Sequence, residues 1–189
     1  NIDIPDDGTS IMFEMNVSGL PTTIDGDFGL ESVCFNINHT WDSDIDVLLI
    51  APDGSSFVLV SGVGWAAVKF ENTCFNRFAD VFISDGIGPF TGEWKPIGDM
   101  GAVNNGQNPN AVWQLLIEDT YPFADAGILL NWTITFGNNP PKGLVLQSSN
   151  LPIVKINTLG QVIPDDPKIT VQMQIIDNGM GIRNYVSDT

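Results

Sequence analysis

Asp42, Asp44 and Asp46 alternate through a short run and form the sharpest chemical feature of the sequence. On a regular strand their carboxylates would project from one face, where mutual repulsion is unfavourable. Calcium relieves such repulsion, being a hard cation that takes roughly six to eight oxygens. The spacing imitates the start of an EF-hand loop and then fails it. Val47 stands where Gly is required and Asp53 where a bidentate Glu is usual. An EF-hand is therefore excluded, and a calcium cage built between strand ends is the remaining form. Asp25 and Asp27 are a second, sparser pair of the same kind. The competing account is solvated edge charges and Asx-turns that discourage edge pairing.

Other chemistry has less to work with. A Ser-His-Asp triad needs a histidine free to exchange protons. The one histidine, His39, falls on the apolar face of its segment, where a core hydrogen bond is the ordinary role. Neither a Gly-x-Ser-x-Gly elbow nor a Gly-x-x-x-x-Gly-Lys phosphate cradle is present, and Gly179-Met180-Gly181 is only a turn. No enzyme is expected. Cys34 and Cys74 are the only cysteines. An even count permits a disulfide between an outer strand face and a loop, closing roughly 40 residues and stabilising by about 3–4 kcal/mol; two separate thiols are the alternative. Trp113 and Trp132 sit at apolar strand positions and belong to a core. Trp65 and Trp94 fall in loops and are the candidates for a contact surface with glycan or protein. Asn16, Asn38 and Asn131 lie in Asn-x-Ser/Thr triplets that carry no weight alone.

These residues must be positioned by strands. From Val33 to Leu49 the odd positions are mostly apolar and the even ones polar, the period-two pattern of a half-buried strand. The pattern breaks at Trp41 to Ser43, which predicts a turn or bulge. Leu130, Trp132, Ile134 and Phe136 repeat the alternation, and Phe57–Val60, Val81–Ser84 and Val112–Ile117 are further strands between turn signals. No stretch reads as a helix. Nineteen Gly and twelve Pro cut the chain into short pieces, giving an all-β antiparallel jelly roll or β-sandwich. The domain spans 1–137, the breaker cluster 138–143 acts as a linker, and 144–189 adds a short β appendage. In that appendage Leu144–Leu146, Pro152–Asn157 and Ile169–Ile176 are strand candidates.

The order of motifs resembles a known family. Ile4-Pro5-Asp6-Asp7-Gly8, Val17-Ser18-Gly19, His39-Thr40, Asp44 through Leu49, and Ala51-Pro52-Asp53-Gly54 come first. Asn72-Thr73, Pro89-Phe90-Thr91-Gly92, Trp113-Gln114-Leu115 with Asp119, and Asp125-Ala126-Gly127 ahead of Trp132 follow. The series over 4–136 resembles the P domain (P/Homo B domain) that follows the catalytic domain in proprotein convertases and bacterial subtilisin-like proteases. The resemblance implies a jelly-roll sandwich, a structural His39, and acidic positions at Asp44, Asp119 and Asp125. With Asp42 and Asp46, these would compose the calcium cage at one end of the sandwich. Residues 144–188 resemble the opening of secreted proteins similar to the spore-coat protein H (CotH) kinases. That likeness is carried by Ser149-Asn150-Leu151-Pro152-Ile153-Val154-Lys155-Ile156-Asn157-Thr158, Gly160-Gln161 and Ile163-Pro164-Asp165-Asp166-Pro167-Lys168. It implies a chain that stops before any catalytic motif of that family.

Charge bounds the partners. With 23 acidic and 7 basic side chains the net charge is -16, a field that repels phosphate backbones and anionic membrane surfaces. No apolar run approaches the roughly 18 residues of a membrane span. The expected molecule is a monomeric, secreted, periplasmic or cell-surface accessory module. Its partner would be a neighbouring domain of the same polypeptide, with a glycan or protein ligand as the alternative.

Overall fold

The structure is a computed structural model and describes residues 2–124, 126–143, 146–158 and 168–188. The chain divides into two compact units, Asn1–Leu144 and Val145–Thr189. The first holds β1 (Ile2–Ile4), β2 (Ile11–Asn16), β3 (Gly29–His39), β4 (Ile45–Ile50) and β5 (Ser56–Val60). Next come β6 (Lys69–Asn76), β7 (Gly92–Trp94), β8 (Val112–Asp119) and β9 (Gly127–Gly137). They form a five-stranded sheet, β1-β9-β3-β6-β7, and a four-stranded sheet, β2-β8-β4-β5. Every pairing is antiparallel except β6 with β7. The architecture is the expected β-sandwich.

One core lies between the sheets. Val33, Phe35 and Ile37 of β3 and Phe70 and Phe75 of β6 meet Val47 and Leu49 of β4 and Trp113 and Leu115 of β8 in it. The alternating apolar positions thus supply both inner faces, as a two-sided sheet with one wet face requires. Aromatic contacts continue outward from Phe70, which stacks on Phe90 at 5.1 Å, while Phe90 meets Trp94 edge-on at 5.8 Å.

Two sequence expectations change. Residues 81–84 are not a strand: Phe82 makes one isolated bridge to Lys95, and Ile83–Asp85 form a 3-10 turn. Gly86, Gly88 and Pro89 follow at once and leave no length for a ladder. Cys74 lies within β6, not in a loop, directly opposite Cys34 of β3, and the two are disulfide-bonded. The stretch 138–143 is held to the first unit. Pro140 O accepts from Arg77 Nη1 at 3.3 Å, and Pro141 O accepts from Asn104 Nδ2 at 3.0 Å.

The second unit contains two antiparallel pairs, β10 (Ser148–Ser149) with β13 (Asn184–Tyr185) and β11 (Ile153–Asn157) with β12 (Gln172–Ile176). Ile153 and Ile176, cross-strand partners, are buried together with Asn184, whose Nδ2 donates to Leu151 O at 3.0 Å. Of the predicted strand at Leu144–Leu146, only Leu146 is among the described residues, and the Gly160-Gln161 and 163–167 motifs lie outside them.

Candidate functional site

Three connections meet at one end of the sandwich: 40–44 between β3 and β4, 61–68 between β5 and β6, and 120–126 between β8 and β9. Backbone hydrogen bonds stitch them together. Asp42 N donates to Ala67 O at 2.8 Å, Ser43 N to Trp65 O at 3.3 Å, and Thr120 N to Asp44 O at 2.7 Å. Gly64 sustains the close approach at φ 101°, where a Cβ would sit 2.7 Å from the Phe90 ring and 3.0 Å from Asp42 Cβ. Only glycine fits there.

His39 ends β3 and is buried beside Asp119, which ends β8. Its Nε2 lies 3.0 Å from Asp119 Oδ2, and Nδ1 lies 2.8 Å from Trp41 O and 3.1 Å from Trp41 N. With the proton on Nε2, the ring donates to Asp119 and accepts from the Trp41 N–H; with both nitrogens protonated it donates to Asp119 and to Trp41 O. Either way both nitrogens are occupied inside the core. The second oxygen of Asp119 accepts from Tyr121 N at 3.0 Å. This pair is a structural tie between β3 and β8 and reaches no substrate.

The aspartates separate. The strand is not regular at 42–44: these residues form a 3-10 turn, which inverts the inward and outward positions. Trp41 consequently points out, 45% exposed, and Asp42 is buried completely. Asp42 Oδ2 accepts from Lys69 N at 3.0 Å, while Oδ1 has no hydrogen-bond partner. Burial pushes its pKa up to about 6, opposed by the Lys69 N–H and by the nearby His39. Asp44 faces a surface cavity, and Asp46 pairs with Glu118 across β4 and β8, on the half-buried positions of both strands. Among the described residues no three His, Cys, Asp or Glu side chains are grouped to hold a metal ion. Asp42 and Asp119 are buried with hydrogen-bond partners of their own, and Asp125, the fifth residue of the expected calcium cage, lies outside the described residues. Asp25 is an Asx-turn, its Oδ1 accepting from Asp27 N at 2.7 Å and Phe28 N at 3.3 Å. Those backbone donors hold its carboxyl below the usual range.

The two loop tryptophans part ways. Trp65 is 87% exposed, with a left-handed φ of 49°. Trp94 belongs to β7 and packs against the core, its Nε1 donating to Phe90 O at 2.9 Å, so it is not an open contact residue. Among the aromatics that went unrecognised as surface groups are Trp41, assigned to the buried face, and Tyr121, 61% exposed. The broken alternation at Trp41 was the available signal for the first.

The fold and this end of it define a class: a disulfide-bonded β-sandwich module whose one histidine is locked in its core. A family model for the proprotein convertase P-domain matches residues 31–136, more than half of the chain, and the chain belongs to that family. The matched span runs from within β3 to within β9 and includes His39, Asp119 and both cysteines. P domains are non-catalytic accessory domains of proprotein convertase and subtilisin-like proteins. The match ends at Phe136 and does not bear on residues 144–188. No curated protein matches the chain.

Proposed function

We propose that this chain is the non-catalytic accessory module of a larger exported protein and that it stabilises or positions a neighbouring domain, protease-like or CotH kinase-like. The P-domain match over 31–136 carries this proposal. Two features support it. His39 has both ring nitrogens engaged by Asp119 and Trp41, so it cannot serve as a mobile base. The Cys34–Cys74 disulfide suits an oxidising compartment outside the cytosol. No helix among the described residues is long and apolar enough to cross a membrane. Reading the gene on both sides of residues 1–189 tests the proposal: a protease-like or kinase-like domain in the same frame is the expected result. A start codon and a stop codon immediately flanking the module would overturn it.

A second function, recognition of a glycan or protein ligand, is favoured by one observation, the large exposed indole of Trp65. A glycan array read at high protein concentration separates the two, since the accessory module predicts no binding.

A further inference from the structure

At the loop end of the sandwich, Trp41, Asp44, Tyr121 and Ala124 line a surface cavity of about 470 Å³. We infer that this cavity binds a cationic side chain, an arginine presented by a partner polypeptide, against the aromatic walls of Trp41 and Tyr121 and the Asp44 carboxylate.

Three observations lead there. The first is composition: the named walls are two aromatic side chains, one carboxylate and one methyl group. Aromatic faces attract cations through their quadrupole, and a carboxylate adds a point charge that repels anions and pairs with a cation. Arginine is favoured over lysine because its planar guanidinium stacks on a ring while its fork of N–H donors engages a carboxylate. The volume falls within the roughly 300–1,000 Å³ of ordinary ligand pockets and exceeds what one guanidinium needs, so backbone flanking the arginine can also enter.

The second observation is that the walls are fixed from behind. His39 Nδ1 holds the Trp41 backbone, accepting from its N–H when unprotonated and donating to its carbonyl when protonated. Tyr121 N is bonded to Asp119 Oδ1, and Asp44 O accepts from both Thr120 N and Thr120 Oγ1, at 2.7 and 3.0 Å. The buried His39–Asp119 pair thereby spaces the two rings, with Trp41 tied to one member and Tyr121 to the other. These ties run through backbone atoms of Trp41, Tyr121 and Asp44, and the Asp44 carboxylate is itself held at the cavity wall by Ser43 Oγ, which donates to Oδ1 at 3.2 Å. A preorganised aromatic pair lowers the ordering cost of binding.

The third is the long-range field. A chain of net charge -16 draws cationic ligands toward it and disfavours anionic ones. This inference is separate from the accessory role: an arginine could be bound here whatever domain the module accompanies, and either proposal can fail alone.

The test is an NMR titration of the isotope-labelled 189-residue chain with acetyl-Gly-Arg-Gly-amide. The same peptide carrying citrulline, the neutral isostere, and cellohexaose serve as comparisons. The expected result is a saturable shift concentrated at residues 40–44 and 120–124 with the arginine peptide, and little with citrulline. Asp44→Asn and Trp41→Ala should each weaken binding by on the order of fivefold. Trp41→Ala keeps the backbone grip of His39, and Asp44→Asn keeps the carbonyl bonded to Thr120. If the tryptophan variant does not fold, the asparagine variant still decides. Equal response to citrulline, arginine affinity unchanged in Asp44→Asn, or shifts spread over acidic residues all round the molecule would overturn the assignment. Cellohexaose shifting these residues while the arginine peptide does not would overturn it in favour of a glycan.

Discussion

Asp42 brings a carboxylate into full burial and leaves one oxygen unpartnered. Its folded pKa of about 6 stands above the ordinary 3.8, so the protonated form is the one the fold prefers. The contribution to stability is therefore full below about pH 3.8 and is lost as pH rises through about 6. Asp42→Asn is neutral throughout and keeps an oxygen for the Lys69 N–H. It should gain on the wild type by ~2 kcal/mol as pH climbs from about 4 to about 7, measured by urea unfolding across that range. A difference between the two proteins that stays constant with pH would contradict this account. The His39–Asp119 pair ties two strands together inside the core. His39→Ala strands a buried carboxylate without its partner and should cost ~3–5 kcal/mol, seen as a lowered urea midpoint.

At the scale of elements, the Cys34–Cys74 bond joins β3 to β6 directly across the ladder and closes a separation of 40 residues. Replacing both cysteines by serine should lower stability by about 4 kcal/mol in the chain-entropy model, measured against the oxidised protein by denaturant unfolding. Asp46 opposite Glu118 is a like-charge cross-strand pair, so Asp46→Lys should stabilise by a few tenths to ~1 kcal/mol. Much of this architecture is legible in sequence because period-two alternation survives in β3, β4, β8 and β9, the strands that carry most of the core. What alternation cannot show is where it restarts. The 3-10 turn at Asp42–Asp44 breaks the alternation locally, exposing Trp41 and burying Asp42 before the same parity resumes at Ile45, and with it went the single carboxylate face. β6 is obscured in another way. Asn72 takes a left-handed φ of 49°, bonds to Asn36 Oδ1 and interrupts the register, so its polar residues look like a loop. Register is also what brings Cys34 and Cys74 face to face, and no spacing along the chain reports it. The aromatic cavity was least legible, since Trp41 and Tyr121 lie about 80 positions apart and meet only through His39 and Asp119.

At the scale of the whole molecule, the P-domain sandwich and the acidic surface describe a protein that acts by contact. The first unit holds the family match, the disulfide and the arginine cavity, and its one histidine is spent on holding two strands together. The accessory role makes a thermodynamic demand: a domain that the module stabilises must melt lower when the module is taken away, because binding to the folded form alone raises its apparent stability. The direct measurement is the melting temperature of the adjacent domain, produced with and without this module from the same gene. A fall of several degrees on removal, with a lower soluble yield, is the predicted result. An adjacent domain that melts at the same temperature and accumulates equally well in both forms would contradict the account.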